Sequence, residues 1–255
     1  TLSLSLPRLA MKHAVCLLAL CAIAPAWGQD LDTLLRDADR YRMSADNLQV
    51  ETLVQTYSAS GELDKERRYT VFAQAGRQSL VLMQSPAEQG QKVLMLGDDF
   101  WLLMPNSQRP LRITPMQKLL GDASTGDIAT LSWSGDYRAE LVGEEPCQPN
   151  EQARQCLHLS LHATRKGVTY SRIELWLGKT RHEPVRADLY VQSDKLAKQA
   201  RFTLDKARST VTDMILTDQL NKQKETRVSY QSRKPRSIPD TWLNPMFLVR
   251  NPSLD

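Results

Sequence analysis

The chain has 255 residues, 41% of them hydrophobic, and its 33 basic and 29 acidic residues leave a formal net charge of +4. That length suits one large domain or two small ones, and the apolar share is enough for a packed core, which excludes a disordered or fibrous chain. A charge so nearly balanced points to no polyanionic partner, and the basic C-terminal third lacks the interleaved aromatics of a nucleic-acid surface.

Met11-Lys12-His13 precedes an apolar run from Ala14 to Ala24 and then small residues up to Gly28. A short basic segment, an apolar core and small residues form a secretory signal, too short to span a membrane as a helix. Met11 is read as the start, with cleavage after Ala26 or Gly28. Residues 1–28 are then removed and 29–255 form a single mature domain. A lipoprotein signal around Cys21 would want a small residue where Leu20 stands, so lipid anchoring is not expected. No later stretch offers the roughly 20 consecutive apolar residues of a membrane helix. The mature product is therefore expected in the periplasm of a Gram-negative bacterium, as a monomer. Removing Arg8 and Lys12 leaves 31 basic against 29 acidic residues, a net +2. Of the four cysteines, Cys147 and Cys156 remain after cleavage. In an oxidising compartment each has one partner, so the pair is expected to close the mouth of a long hairpin.

The first mature element is an amphipathic helix over Asp30 to Arg42, with Leu31, Leu34, Leu35, Ala38 and Tyr41 at helical spacing and acids at its start. The period then becomes two. Leu48 to Ser60, Arg67 to Gln74, Gln78 to Gln84, Lys92 to Leu96 and Phe100 to Met104 read as a five-strand meander with short turns. Leu111 to Trp133 loses the alternation and reads as one or two short helices. Strands resume at Tyr137 to Val142, Leu157 to Ala163, Val168 to Leu177, Pro184 to Val191, Ala197 to Leu204, Met214 to Thr217 and Thr226 to Gln231. The fold class is thus mainly β.

Three of the central strands, Leu80-Val81-Leu82-Met83, Val93-Leu94-Met95-Leu96 and Trp101-Leu102-Leu103-Met104, are apolar on both faces, whereas a sheet with one wet face should alternate. Both faces must be covered. An ordinary two-sided core does this. So does an apolar ligand cavity on one face, with Met83, Met95, Met104 and Met116 as adaptable wall residues. The candidates for that wall are Met83, Met95, Trp101, Leu103, Met104 and Trp176, although alternation allows only one of each adjacent pair to point inward.

Catalytic patterns are missing from the chain. His158 and His162 sit four apart in a strand, roughly 13 Å of chain and too far to share a metal. There is no nucleophile elbow, phosphate loop or zinc-binding helix motif. No enzyme and no cofactor is expected. Residues 195–236 hold eleven bases against four acids, while 29–66 hold nine acids against four bases. Lys195 to Arg236 is therefore a candidate docking face for an acidic partner or anionic membrane.

Several motifs recur in an order that resembles one known family. They are Ser60-Gly61-Glu62 with Arg67-Arg68; Ser85-Pro86 with Gly90-Gln91-Lys92-Val93-Leu94; Phe100-Trp101-Leu102-Leu103-Met104-Pro105 with Arg109 and Arg112-Ile113; Asp136-Tyr137; Leu141-Val142-Gly143-Glu144; Glu183-Pro184-Val185-Arg186-Ala187; Ile238-Pro239-Asp240; and Phe247-Leu248. Their order is similar to that of the LolA-like superfamily, in its outer-membrane lipoprotein-sorting branch. Where many relatives carry an acidic, phenylalanine-containing box, this chain has Gly121-Asp122-Ala123-Ser124-Thr125-Gly126-Asp127-Ile128. The resemblance implies an incomplete, strongly curved antiparallel β-barrel closed by a few short helices over a hydrophobic cavity. It implies a carrier of lipidated protein or another envelope lipid, passing cargo from an inner-membrane transporter to an outer-membrane acceptor. The alternative is a periplasmic sensor or adaptor that binds a signal without transporting cargo.

Overall fold

The computed structural model describes residues 30–219 and 224–254. The expected signal lies outside them. Among the described residues no helix is long and apolar enough to cross a membrane.

The amphipathic spacing after Asp30 forms α1 (Leu31–Asp39), begun by the Asp30 carboxylate accepting from the Asp32 amide and burying Leu34, Leu35 and Ala38. The alternating stretches then form β1 (Asn47–Tyr57), β2 (Leu63–Gln74), β3 (Gln78–Met83), β4 (Lys92–Leu96) and β5 (Asp99–Leu103). The segment expected to be helical instead holds three short strands, β6 (Leu111–Ile113), β7 (Lys118–Leu120) and β8 (Ala123–Ser124), and a single one-turn helix, α2 (Thr125–Ala129). Pro110 and Pro115 cannot donate within a helix, and Gly121 at φ 56° makes a turn, so this segment is divided before a long helix can form. Seven strands follow: β9 (Tyr137–Gln148), β10 (Glu151–Ala163), β11 (Arg172–Gly178), β12 (Pro184–Tyr190), β13 (Leu196–Leu204), β14 (Val211–Asp218) and β15 (Glu225–Pro235). The chain ends in a 3-10 turn (Asp240–Leu243) and α3 (Pro245–Leu248).

Thirteen of the strands make one antiparallel sheet in the order β6-β5-β4-β3-β2-β1-β15-β14-β13-β12-β11-β10-β9. Two meanders are thus joined at a central seam where β1 pairs with β15, Val54 opposite Val228. The edges β6 and β9 do not pair, so the sheet is not a closed barrel.

The sheet is nevertheless bent on itself. Val93, Met95 and Phe100 from one half share a single apolar cluster with Ala139, Leu159, Leu161 and Leu175 from the other, around the helix side chains Leu34, Leu35, Ile128 and Ala129. At one rim the two halves touch. Arg77, in the β2–β3 turn, donates to Gly97 O at 2.9 Å, to Gly167 O at 2.7 Å and to the Asp136 carboxylate. Arg165 donates to Asp98 at 2.7 Å. A Cβ at Gly167 would lie 2.3 Å from Asp98 Cα, so only glycine permits this approach.

The opposite, outer face of β2–β5 has its own cover. Phe72, Leu80, Leu94 and Leu103 are buried beneath Ile238, Trp242 and Leu248 of the C-terminal segment. Trp242 meets Phe72 edge to face at 5.5 Å, and Lys92 Nζ donates to Asn251 at 2.8 Å. Both faces of these strands are therefore dry for a structural reason: α1 and α2 lie on one, the tail on the other.

The two remaining cysteines are joined, Cys147 to Cys156, across the β9–β10 hairpin with their Cα atoms 4.9 Å apart.

Candidate functional site

The inner, concave face is assembled from both ends of the chain. α1 is held there by Asp39, whose carboxylate accepts the amides of Trp133 at 2.7 Å and Ser134 at 2.9 Å and the Ser134 hydroxyl at 2.5 Å. Burial pushes this carboxyl above its ordinary range despite Arg42 and the three donors. α2 is fixed by Asp127, which accepts from the Ser124 amide at 2.8 Å, the Tyr170 hydroxyl at 2.8 Å and the Lys198 ammonium at 2.7 Å. Tyr170 is fully enclosed, and burial followed by the adjacent Asp127 charge drives its phenol well above the ordinary value. Asp136 is likewise pushed up by burial, against the pull of Arg77 and Arg165. Each of these buried carboxylates holds a helix, loop or rim in place, and none forms the close acid pair that proton-transfer chemistry uses.

Between α2, Trp133 and strands β11–β14 lies a cavity of about 50 Å³ walled by Ile173, Leu189, Phe202 and Met214, with Arg42 reaching into it. Beside it, an open groove of about 330 Å³ runs between α1 and the β2–β3 end, with Met43, Ala73, Met95, Ala129 and Leu131 on its apolar side and Arg36, Arg40, Asp46, Gln74 and Arg77 among its polar lining. A cavity of about 150 Å³ can take up benzene, so a space of about 50 Å³ is too small for an acyl chain as it stands.

The six residues singled out from sequence do not meet at one place. Met83 and Met95 belong to the inner cluster, 4% and 3% exposed. Leu103 is buried beneath the C-terminal tail and Trp101 packs at that cluster's margin, on the outer face. Met104 follows β5, half-buried, in neither cluster. Trp176 lies beside the disulfide with Val185. It stacks on His158 at 4.3 Å, carries Arg186 at 3.4 Å over its ring and donates to Glu145 at 3.0 Å. His158 hydrogen-bonds Glu145 and Glu174, and among the described residues no group of three or more metal-ligating side chains is gathered. Period-two spacing marks both faces of a strand as apolar but cannot say which is inner. Phe202, Trp133 and Arg42, which do line the cavity, were not singled out. Arg42 alone carried a signal, since it continues the buried 35, 38 stripe of α1.

The basic segment is also divided. Lys198 is buried on Asp127, Arg208 and Arg201 pair with Glu183 and Glu225 at 2.6 Å, and Arg236 lies over Phe72. Lys222 lies outside the described residues.

A family model described as an uncharacterized protein matches residues 75–250, well over half of the chain. Among solved structures, a LolA superfamily protein from Nitrosomonas europaea aligns with a TM-score of 0.73 at 29% identity, covering 83% of this chain and 96% of its own. A putative outer membrane lipoprotein-sorting protein domain from Vibrio parahaemolyticus gives 0.65 at 16%, covering 86% and 98%, and shares the fold. So does a DUF1329 family protein from Desulfovibrio piger, at 0.65 and 22%, covering 84% and 95%. No functionally curated protein matches the sequence.

Proposed function

The chain belongs to the LolA-like superfamily, and from that premise we propose that it is a periplasmic carrier which holds the acyl chains of a lipoprotein or another envelope lipid against the concave face of its sheet. The observation that carries this reading is the apolar inner cluster roofed by two short helices, with a groove opening at their junction beside Met95. Cargo enters by displacing the helices. A dozen buried methylenes return roughly 10 kcal/mol at about 0.8 each, and against this stand the burial of Leu34 and Leu35 and the hydrogen bonds that Asp39 and Asp127 make. Such opposed contributions suit a carrier, which must release as well as bind. No covalent step is needed, and the transporter and acceptor at the two membranes would act by shifting this exchange.

Met83 and Met95 are the wall residues of this reading, being the two of the six that face the helices. A Met95→Glu variant places a carboxylate at the groove mouth and is expected to lower affinity for a fluorescent fatty acyl probe at least tenfold. Native mass spectrometry of gently purified protein should show co-purifying lipid, and vesicle-to-vesicle transfer should be accelerated. A protein that retains lipid without transferring it would be a sensor, and one that neither retains nor binds lipid would overturn the carrier.

A further inference from the structure

Arg42 follows α1 directly and is only 5% exposed. Its guanidinium lies over Trp133, 3.6 Å from the ring centre. The Asp39 carboxylate is 4.0 Å away and already accepts three shorter hydrogen bonds from Trp133 and Ser134. Arg42 Nε and Nη2 have no hydrogen-bond partner. Nor have two neighbouring groups, the Tyr230 hydroxyl and Arg233 Nε. Tyr230 is near enough to feel the Arg42 charge, and Arg233 sits 4.7 Å over the Tyr230 ring while its Nη2 donates to Val211 O. Guanidinium groups stay protonated in proteins, so this is a fixed positive charge with idle donors, paired loosely with Asp39 in a buried pocket that Asp127 and Asp136 also line.

We propose that Arg42, supported by the Tyr230 hydroxyl and Arg233, receives the anionic head of the bound amphiphile, a carboxylate or a phosphate, while the attached acyl chain lies along the concave face. This rests on the acyl-chain reading above and narrows it. The triacylated cysteine of a lipoprotein carries no negative charge beside its acyl chains, whereas a fatty acid or a lysophospholipid does. Planar guanidinium is the side chain whose paired donors match either oxyanion, and desolvation strengthens that bond.

The test uses two matched pairs of probes on delipidated protein: oleate against oleyl alcohol, and oleoyl lysophosphatidate against monooleoylglycerol. Wild type should prefer the anionic member by tenfold or more, and which pair shows the preference identifies the source of the anion. Arg42→Met should keep the neutral probes' affinity and lose the preference, with Asp39 still held by the Trp133 and Ser134 amides and the Ser134 hydroxyl. Tyr230→Phe, which keeps the ring, should weaken only the anionic probes, by about threefold, and it carries the test if Arg42→Met fails to fold. Equal binding of anionic and neutral probes by wild type, or a preference that survives Arg42→Met, overturns the head-group site while the acyl-chain reading stands. Failure of all four probes to bind overturns both.

Discussion

Glu183 shows how one side chain can hold several elements. It opens the β12 hairpin, accepts from Arg154 at 2.8 Å and Arg208 at 2.6 Å, and packs so tightly on Gly178 that a Cβ there would meet its carboxylate at 2.1 Å. Burial pushes its carboxyl up, but the backbone hydrogen bond and the two arginines outweigh that and leave it below the ordinary value near 4.5. A carboxylate held low favours folding above its unfolded pKa, and that contribution disappears as pH falls through the folded value. Glu183→Gln should therefore melt below wild type at pH 7, and the gap should close on titration from pH 5 to pH 3, as read by calorimetry. Arg42, by contrast, was marked in the sequence only by its place on the 35, 38 stripe of α1. A charged residue at the end of an amphipathic helix reads as solvated, and only the fold places it against Trp133 and Phe202.

At the scale of elements, local patterns were legible and long-range ones were not. The helix after Asp30, both meanders and the Cys147–Cys156 hairpin depend on neighbours in sequence, where periodicity, acids and turn residues speak directly. The pairing of β1 with β15 and the seating of the tail on β2–β5 depend on partners far along the chain, about which alternation says nothing. The disulfide offers a clean element-level check. Closing so short a loop contributes roughly 2–3 kcal/mol in the chain-entropy account. The Cys147→Ser, Cys156→Ser double variant is expected to lose about that much in denaturant unfolding. Its lipid affinity should be unchanged, because the bridge lies with Trp176 away from the inner cluster.

For the molecule as a whole, the C-terminal segment is a structural wall. Ile238, Trp242 and Leu248 are each nearly fully buried, and removing residues 237–254 forfeits about 1.5–3 kcal/mol apiece. That sum rivals the 5–15 kcal/mol that holds an average domain together. The truncated protein should bind a hydrophobic-surface dye strongly and sediment as aggregate, and a monomeric product with an unchanged melting curve would show the tail to be dispensable. The central seam has a consequence of a different kind. Residues 52 and 230 face each other across β1 and β15, so the middle of the sheet is made from the two ends of the polypeptide. Contacts so distant in sequence form slowly, since the closure entropy of the whole intervening chain is paid before they form. A chain made from its N-terminus onward delivers β15 almost last. Until then β1 has an open flank, and the centre of the sheet cannot close before its last strand is available.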